Sequence, residues 1–346
     1  MAAAFGHWWQ SGGERPDVIF ACVPSLELAE AAVEAGAALR TPVVVDVRDP
    51  WPDVYLSVLP RVVRPLARHF LSPEYRRLQR IVQGASAVTA VSGDYLQWAL
   101  QVAERAPTDH DRVFPIGFAV DPGPPIAWGE SVIGRRLSIP DADMVVAFGG
   151  MFGTSYDLDT VVEAARLLER TPGHRIRFVI AGDGDKAASL RRRARDLQSL
   201  VFCGWLDERD MRALLGRAAV GLAAYAAEAQ QSLPNKPFEY MASGLALVSS
   251  LTGELADLIA REGIGRQFTA RNATSLAREL LWLWQHPEER TQMGARAHHL
   301  LSTRYHAARI DQSLAEHLRG IAAGGVPVTQ DAATLASELP RQEAAV

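Results

Sequence analysis

A chain of 346 residues, 48% hydrophobic and 22% charged, has enough apolar material for two domains with cores of their own. Its net charge of −4 argues against nucleic acid as a main partner, and no apolar run is long enough to cross a bilayer. The start, Met1 to Gln10, lacks the basic and apolar regions of a signal peptide, so the sequence predicts a cytoplasmic protein.

Short apolar runs alternate with longer amphipathic ones, the pattern of parallel strands joined by crossover helices, and the fold class is α/β. Strands are expected in the first half at 17–21, 42–47, 87–91 and 112–116. Between 56 and 80, apolar residues mix with Arg61, Arg64, Arg68, Arg76, Arg77 and Arg80; this suits either peripheral contact with anionic lipid or a solvated helix face. A Pro- and Gly-rich passage at 122–125 breaks the alternation and sets the domain boundary at 125/126. A fuller series follows, with strands at 145–148, 175–181, 200–203, 220–225 and 246–250. Helices are expected at 158–168, 187–197, 208–217, 273–284 and 287–304. The segment 305–323 is expected to be a helix packing back towards the first domain, and 324–346, rich in Ala, Gly, Glu and Gln, a mobile tail. Cys22 and Cys203 fall in strands, which fits buried reduced thiols. The nine histidines show no ligand spacing and no metal is expected; no cofactor is expected either.

In open α/β sheets, ligands bind beyond the carboxyl ends of the strands, and three loops of the second half lie there. The first runs Gly149-Gly150-Met151-Phe152-Gly153-Thr154, where glycines let backbone N–H groups approach an anion or simply turn the chain. The second, Gly182-Asp183-Gly184-Asp185, imitates a dinucleotide loop and a metal-binding Asp-x-Asp, but lacks the third glycine; a turn with a helix cap is the plainer reading. The third, Ser232 to Gly244, holds Lys236, one of only two lysines in the chain. Asn235 can cap a helix, Pro237 fits its first turn, and Gly244 suits a left-handed exit. A helix start with a lysine favours phosphate, and Glu239 can accept hydrogen bonds from a diol. The alternative is a capped helix with Lys236 merely solvated. In the first half, the loop Asp46-Val-Arg-Asp-Pro-Trp-Pro-Asp53 follows a strand and carries Arg48 and Asp49, which read equally as ligand contacts or as a salt-bridged loop over Trp51.

Gly150-Met-Phe-Gly-Thr-Ser-Tyr-Asp-Leu-Asp159, Val179-Ile-Ala-Gly-Asp-Gly184 and Leu233-Pro-Asn-Lys-Pro-Phe-Glu-Tyr-Met-Ala-Ser-Gly-Leu245 occur in this order. Over about residues 17–318 the chain resembles the retaining glycosyltransferases of family 4, most closely those building bacterial exopolysaccharide, O-antigen or capsule. The resemblance implies a GT-B fold of two Rossmann-like domains with parallel sheets. Residues 1–125 would face a saccharide or lipid-linked acceptor, and 126–304 would bind a UDP- or GDP-sugar. It assigns donor contacts to Gly150, Phe152, Gly153, Asp183, Gly184, Gln231, Ser232, Leu233 and Asn235. Glu239 matches the glutamate that holds the ribose, Lys236 would stabilise the leaving diphosphate, and Arg48 and Asp49 fall on the acceptor side.

Three departures stand out. Gln231 takes the place of a second glutamate, keeping an acceptor oxygen but losing the charge. Gly150 and Ser155 stand where relatives carry a basic pair for the diphosphate, which leaves Lys236 as the remaining cation. The strand and helix units that relatives carry before residue 17 are missing, so the expectation is either a true start upstream of Met1 or a shortened chain with an incomplete N-terminal domain. The missing units make a truncated, non-catalytic GT-B protein that binds nucleotide or a partner the main rival reading, and a nucleotide-sugar epimerase with the same fold is a third.

Overall fold

Two parallel sheets organise the chain, and their central strands are buried on both faces, which is why these read as unbroken apolar runs rather than alternating ones. The computed structural model describes residues 15–57, 59–119 and 126–324. The opening at 1–14, the Pro- and Gly-rich passage at 122–125 and the tail from 325 onwards lie outside the described residues. The chain divides into two compact units, Met1–Gly117 with Ala307–Val346, and Phe118–His306.

The first unit has a parallel sheet in the order β1 (Ile19–Val23), β2 (Val43–Val47), β3 (Ala87–Ala90) and β4 (Arg112–Val113). Helix α1 (Leu26–Leu39) crosses from β1 to β2. A helical passage of α2 (Asp53–Ser57), a 3-10 turn (Arg61–Val63), α3 (Arg64–Phe70) and α4 (Ser72–Gly84) leads to β3, and α5 (Gly93–Val102) follows it. Pro65 and Pro73 open α3 and α4, where their missing N–H groups have no helical partner to lose. Arg77 and Arg80 join α4 to α1 through Glu27 and Glu30. The helix Ala307–Ala322, numbered α14 below, closes the other face, with Ile321 packed against Val44 and Ala87.

The second unit is a six-stranded parallel sheet in the order β10-β9-β8-β5-β6-β7. The strands are β5 (Met144–Gly149), β6 (Ile176–Ala181), β7 (Leu200–Gly204), β8 (Val220–Ala223), β9 (Ala246–Ser249) and β10 (Gly265–Gln267). Helix α6 (Val132–Leu137) precedes β5. The crossovers are α7 (Leu158–Glu169), α8 (Ala187–Arg193), α9 (Glu208–Arg217), α10 (Asn235–Ala242) and α11 (Glu254–Glu262), while α12 (Ala273–Gln285) and α13 (Pro287–Arg304) follow β10. Alternation along the strands feeds two cores: Val146, Phe148, Phe178 and Ile180 pack beneath α7 and α12, and Val145, Ala147, Val179 and Ala181 face α10 and α13. The chain runs β5 to β7 in one direction, then returns to β8 on the other side of β5. Strand order therefore reverses between β5 and β8, the place where open sheets leave a crevice.

Several sequence expectations need correction. Helix α8 stops at Arg193, four residues short of 197, and β4 spans two residues rather than five. β10 is an extra strand, a short polar edge whose sequence Gly-Arg-Gln gives no apolar signal. Cys203 is buried, but Cys22 is only half-buried, its Sγ 3.9 Å from Asp46 Oδ2.

Candidate functional site

The crevice between β5 and β8 is built mostly of backbone. Gly150 N donates to Ala181 O (3.0 Å), and Phe152 N donates to Asp183 O (2.8 Å), so the first and second glycine loops are joined edge to edge. Gly182 (φ +128°) lies against Gly150 O, and a Cβ on Gly184 would meet the Phe152 backbone at 2.9–3.1 Å; only glycine permits this approach. Asp183 is exposed, and its Oδ1 accepts from Gly184 N (2.9 Å). It does not cap a helix, because α8 begins after Lys186 without a side-chain cap.

Helix α10 enters from the other side. Its cap position is Pro234 and Asn235 is its first residue, exposed and without a capping bond; the expectation that Asn235 caps the helix is therefore wrong. Proline at 234 supplies the extended backbone (ψ 160°) from which the helix starts. The exit is as expected: Gly244 has φ +66°, and Leu245 N returns to Tyr240 O (3.0 Å).

Lys236 does not point into solvent. It is 8% exposed, and its Nζ donates to Gly149 O, the last carbonyl of β5. The ammonium also lies 4.9 Å from the Phe148 ring centroid and 5.1 Å from that of Tyr156. Burial pulls the Lys236 pKa down and nearby Glu239 opposes that; burial likewise pushes the Glu239 carboxyl up, against Lys236. The two interact through space, and no contact ion pair joins them among the described residues. Gln231 is half-buried, and its Oε1 is buried without a hydrogen-bond partner among the described residues. Ser232 is buried and donates to Glu254 Oε2 (3.0 Å).

The structure thus brings Gly150, Gly153, Asp183 and Gly184 into one pair of joined loops, with Lys236 reaching β5 from α10. Two expected contacts do not fit as side chains. Phe152 is fully buried, its ring 5.7 Å from that of Phe202 and 6.4 Å from that of Phe148, and its backbone N–H and C=O bond Asp183 O and Lys186 N, so it holds the two loops together rather than facing a ligand. Leu233 is a core residue packed with the α10 side of the sheet. Arg48 and Asp49 lie in the other unit, after β2. Arg48 Nε pairs with buried Asp46 (2.8 Å), which also accepts from Thr89 (2.7 Å), and burial raises the Asp49 pKa. Sequence reasoning missed Tyr156, Tyr240 and Glu254. Tyr240 bonds Leu222 O (3.1 Å) and receives Gly149 N (3.4 Å), tying α10 to β8 and β5. The first two stand inside quoted motifs, but their partners are distant in sequence.

Residues 142–286, which contain the three loops of the second unit but not Arg48 and Asp49, match the family model described as glycosyl transferases group 1. The fold is GT-B, two Rossmann-like units with parallel sheets. HepE of Anabaena, solved in complex with UDP, is similar at 17% identity and a TM-score of 0.72, covering 92% of this chain and 81% of that one. Sucrose-phosphate synthase from Thermosynechococcus elongatus is similar at 16% identity and 0.69, covering 94% and 78%. WaaG, a glycosyltransferase involved in lipopolysaccharide biosynthesis, is similar at 14% identity and 0.59, covering 93% and 95%. No curated protein matches the chain.

Proposed function

We propose that the protein is a glycosyltransferase of family 4 that moves a sugar from a nucleotide-sugar donor, with retention, to a saccharide or lipid-linked acceptor in bacterial surface polysaccharide synthesis. The observation that carries this reading is the buried Lys236 ammonium at the β5–β8 switch point, beside two joined glycine loops. Breaking the bond between the sugar and a nucleoside diphosphate sends the electron pair to a phosphate oxygen. Lys236 and the backbone N–H groups at the start of α10 stabilise that growing charge. Glu239, partly exposed and with no hydrogen bond to its carboxylate among the described residues, accepts from the ribose diol, and Gln231 Oε1, likewise without a partner among them, accepts from a donor hydroxyl. HepE, solved with UDP and with UDP-glucose, supports UDP as the first nucleotide to test. WaaG supports the surface-polysaccharide setting.

The acceptor side is assigned to the first unit, with Arg48 and Asp49 at the end of β2. A lipid-linked acceptor would be met at a cytoplasmic membrane face. No helix among the described residues is long and apolar enough to cross a membrane. Tyr55, Val62, Val63, Leu66 and Phe70 are nevertheless exposed along one short stretch that also carries Arg64 and Arg68, the make-up of a peripheral contact with anionic lipid.

Titration with UDP, GDP and ADP tests the donor site, and sugar transfer from the matching nucleotide sugar tests the enzyme. Failure of all three nucleotides to bind or to raise the melting temperature overturns the reading. Lys236→Ala should weaken diphosphate binding by about 10- to 100-fold, the worth of a charge-assisted bond, while nucleoside binding stays within about twofold.

A further inference from the structure

The ammonium of Lys236 is buried yet has a single hydrogen-bond partner among the described residues, Gly149 O, so two of its three donors have no protein acceptor. What surrounds it instead is aromatic. Phe148 and Tyr156 meet edge to face, centroids 5.1 Å apart at 81°, and the Nζ lies about equally far from both rings. The opposite side is kept open by glycine: a Cβ at residue 150 would stand 2.7 Å from the Nζ.

Tyr156 is not held there by α10 at all. Ala226 N donates to Ser155 O (2.9 Å) and Asp157 N to Ala224 O (3.0 Å), forming an antiparallel bridge between Tyr156 and Tyr225. Asp157 then caps α7 through Thr160 N (3.1 Å). The ring is thus fixed by the stretch leaving β8 and by the start of α7, independently of the lysine it contacts.

We propose that Tyr156 is a positioning residue for donor recognition: with Phe148 it forms an aromatic seat that holds the Lys236 ammonium over Gly150, its free donors presented to the diphosphate. The proposal rests on the donor-site reading above. The ring quadrupoles replace part of the hydration the ammonium gives up on burial, without consuming its N–H groups. A carboxylate in the same place would tie those donors up and cancel the charge needed by the phosphates. Burial works against the charged lysine, and the seat, together with Glu239, works for it. Lys236 and Gly150 form one device, since a side chain at 150 would enter the space the ammonium fills.

The experiment measures UDP and uridine affinities of the full chain as parent, Tyr156→Phe and Tyr156→Leu, or GDP and guanosine if the parent takes GDP. Tyr156→Leu should lower the UDP-to-uridine affinity ratio about tenfold, in the range of a desolvated cation–π contact, and Tyr156→Phe should keep it within about twofold. Equal loss for both ligands, no loss, or a Phe variant as impaired as the Leu variant overturns the proposal. Should Tyr156→Leu fail to fold, Tyr156→Met serves in its place. A second readout needs no nucleotide. Lys186 and Lys236 are the only lysines, so 13C-methylation gives two lysine signals. The Lys236 midpoint should fall in Tyr156→Leu relative to Tyr156→Phe, with Lys186 unmoved; equal midpoints refute the seat. A parent that binds neither UDP nor uridine, nor the GDP pair, would overturn the donor reading, and the lysine titration would still decide the seat.

Discussion

Gly182 faces the carbonyl oxygen of Gly150 across the ends of β6 and β5, so closely that residue 182 has no room for a Cβ. Its φ of +128° adds backbone strain for any other residue. Gly182→Ala should therefore destabilise the protein by about 2 kcal/mol or more and part the two loops. Thermal denaturation checks the first effect and UDP titration the second; an unchanged melting temperature with unchanged affinity would show that the loops are not in contact.

Phe152 gives the contrasting result. Its ring fills the core under α7, so Phe152→Ala should cost about 3–5 kcal/mol of stability through the cavity it leaves. Phe152→Leu should keep nucleotide affinity within about twofold. A large affinity loss in a Leu variant of near-parental stability would mean that the ring itself touches the ligand.

These two residues also show how far the sequence could be read. Strands β5, β6, β8 and β9 were legible because burial on both faces turns them into apolar runs, and Gly244 because a left-handed exit leaves few choices of residue. The three loops were legible as neighbours because parallel strands deliver their carboxyl ends to one edge. Side-chain direction within those loops was not legible. Nothing local tells that Phe152 turns inward, that Pro234 rather than Asn235 holds the cap position, or that Lys236 bonds a carbonyl 87 residues away. Such facts depend on which strand lies beside which, and β8 returning to the far side of β5 is a property of the whole sheet.

His317 on α14 is 2% exposed, its Nε2 3.0 Å from His110 O and its ring 5.3 Å from that of Phe114. Burial, then the neighbouring Arg112, lowers its pKa from 6.5 to about 4. The unfolded chain binds this proton more readily than the folded one, so the contribution is intact above about pH 6.5 and lost as pH falls towards about 4. At about 1.4 kcal/mol per pKa unit, the loss is on the order of 3 kcal/mol. Denaturant melts at pH 7.5 and 4.5 should show a smaller difference for His317→Gln than for the parent. Parallel pH dependences would remove His317 from the account.

The exposed stretch around α3 predicts binding to vesicles of phosphatidylglycerol but not of phosphatidylcholine. Leu66 and Phe70 are 62% and 73% exposed, so Leu66→Ser and Phe70→Ser should leave stability nearly unchanged. Each should reduce vesicle binding about tenfold, the equivalent of losing one buried apolar side chain. Co-sedimentation is the measurement, and a parent that stays in the supernatant with anionic vesicles would end the membrane reading.

The first unit is discontinuous in the chain, whereas Phe118–His306 is a single run. During synthesis the second unit has its whole sheet and both cores available before α14 has emerged. The first must wait, with Val44 and Ala87 uncovered until Ile321 arrives. The nascent chain therefore matures from the middle outwards, and the interval between its two completions is when the first sheet is most open to a chaperone or to aggregation.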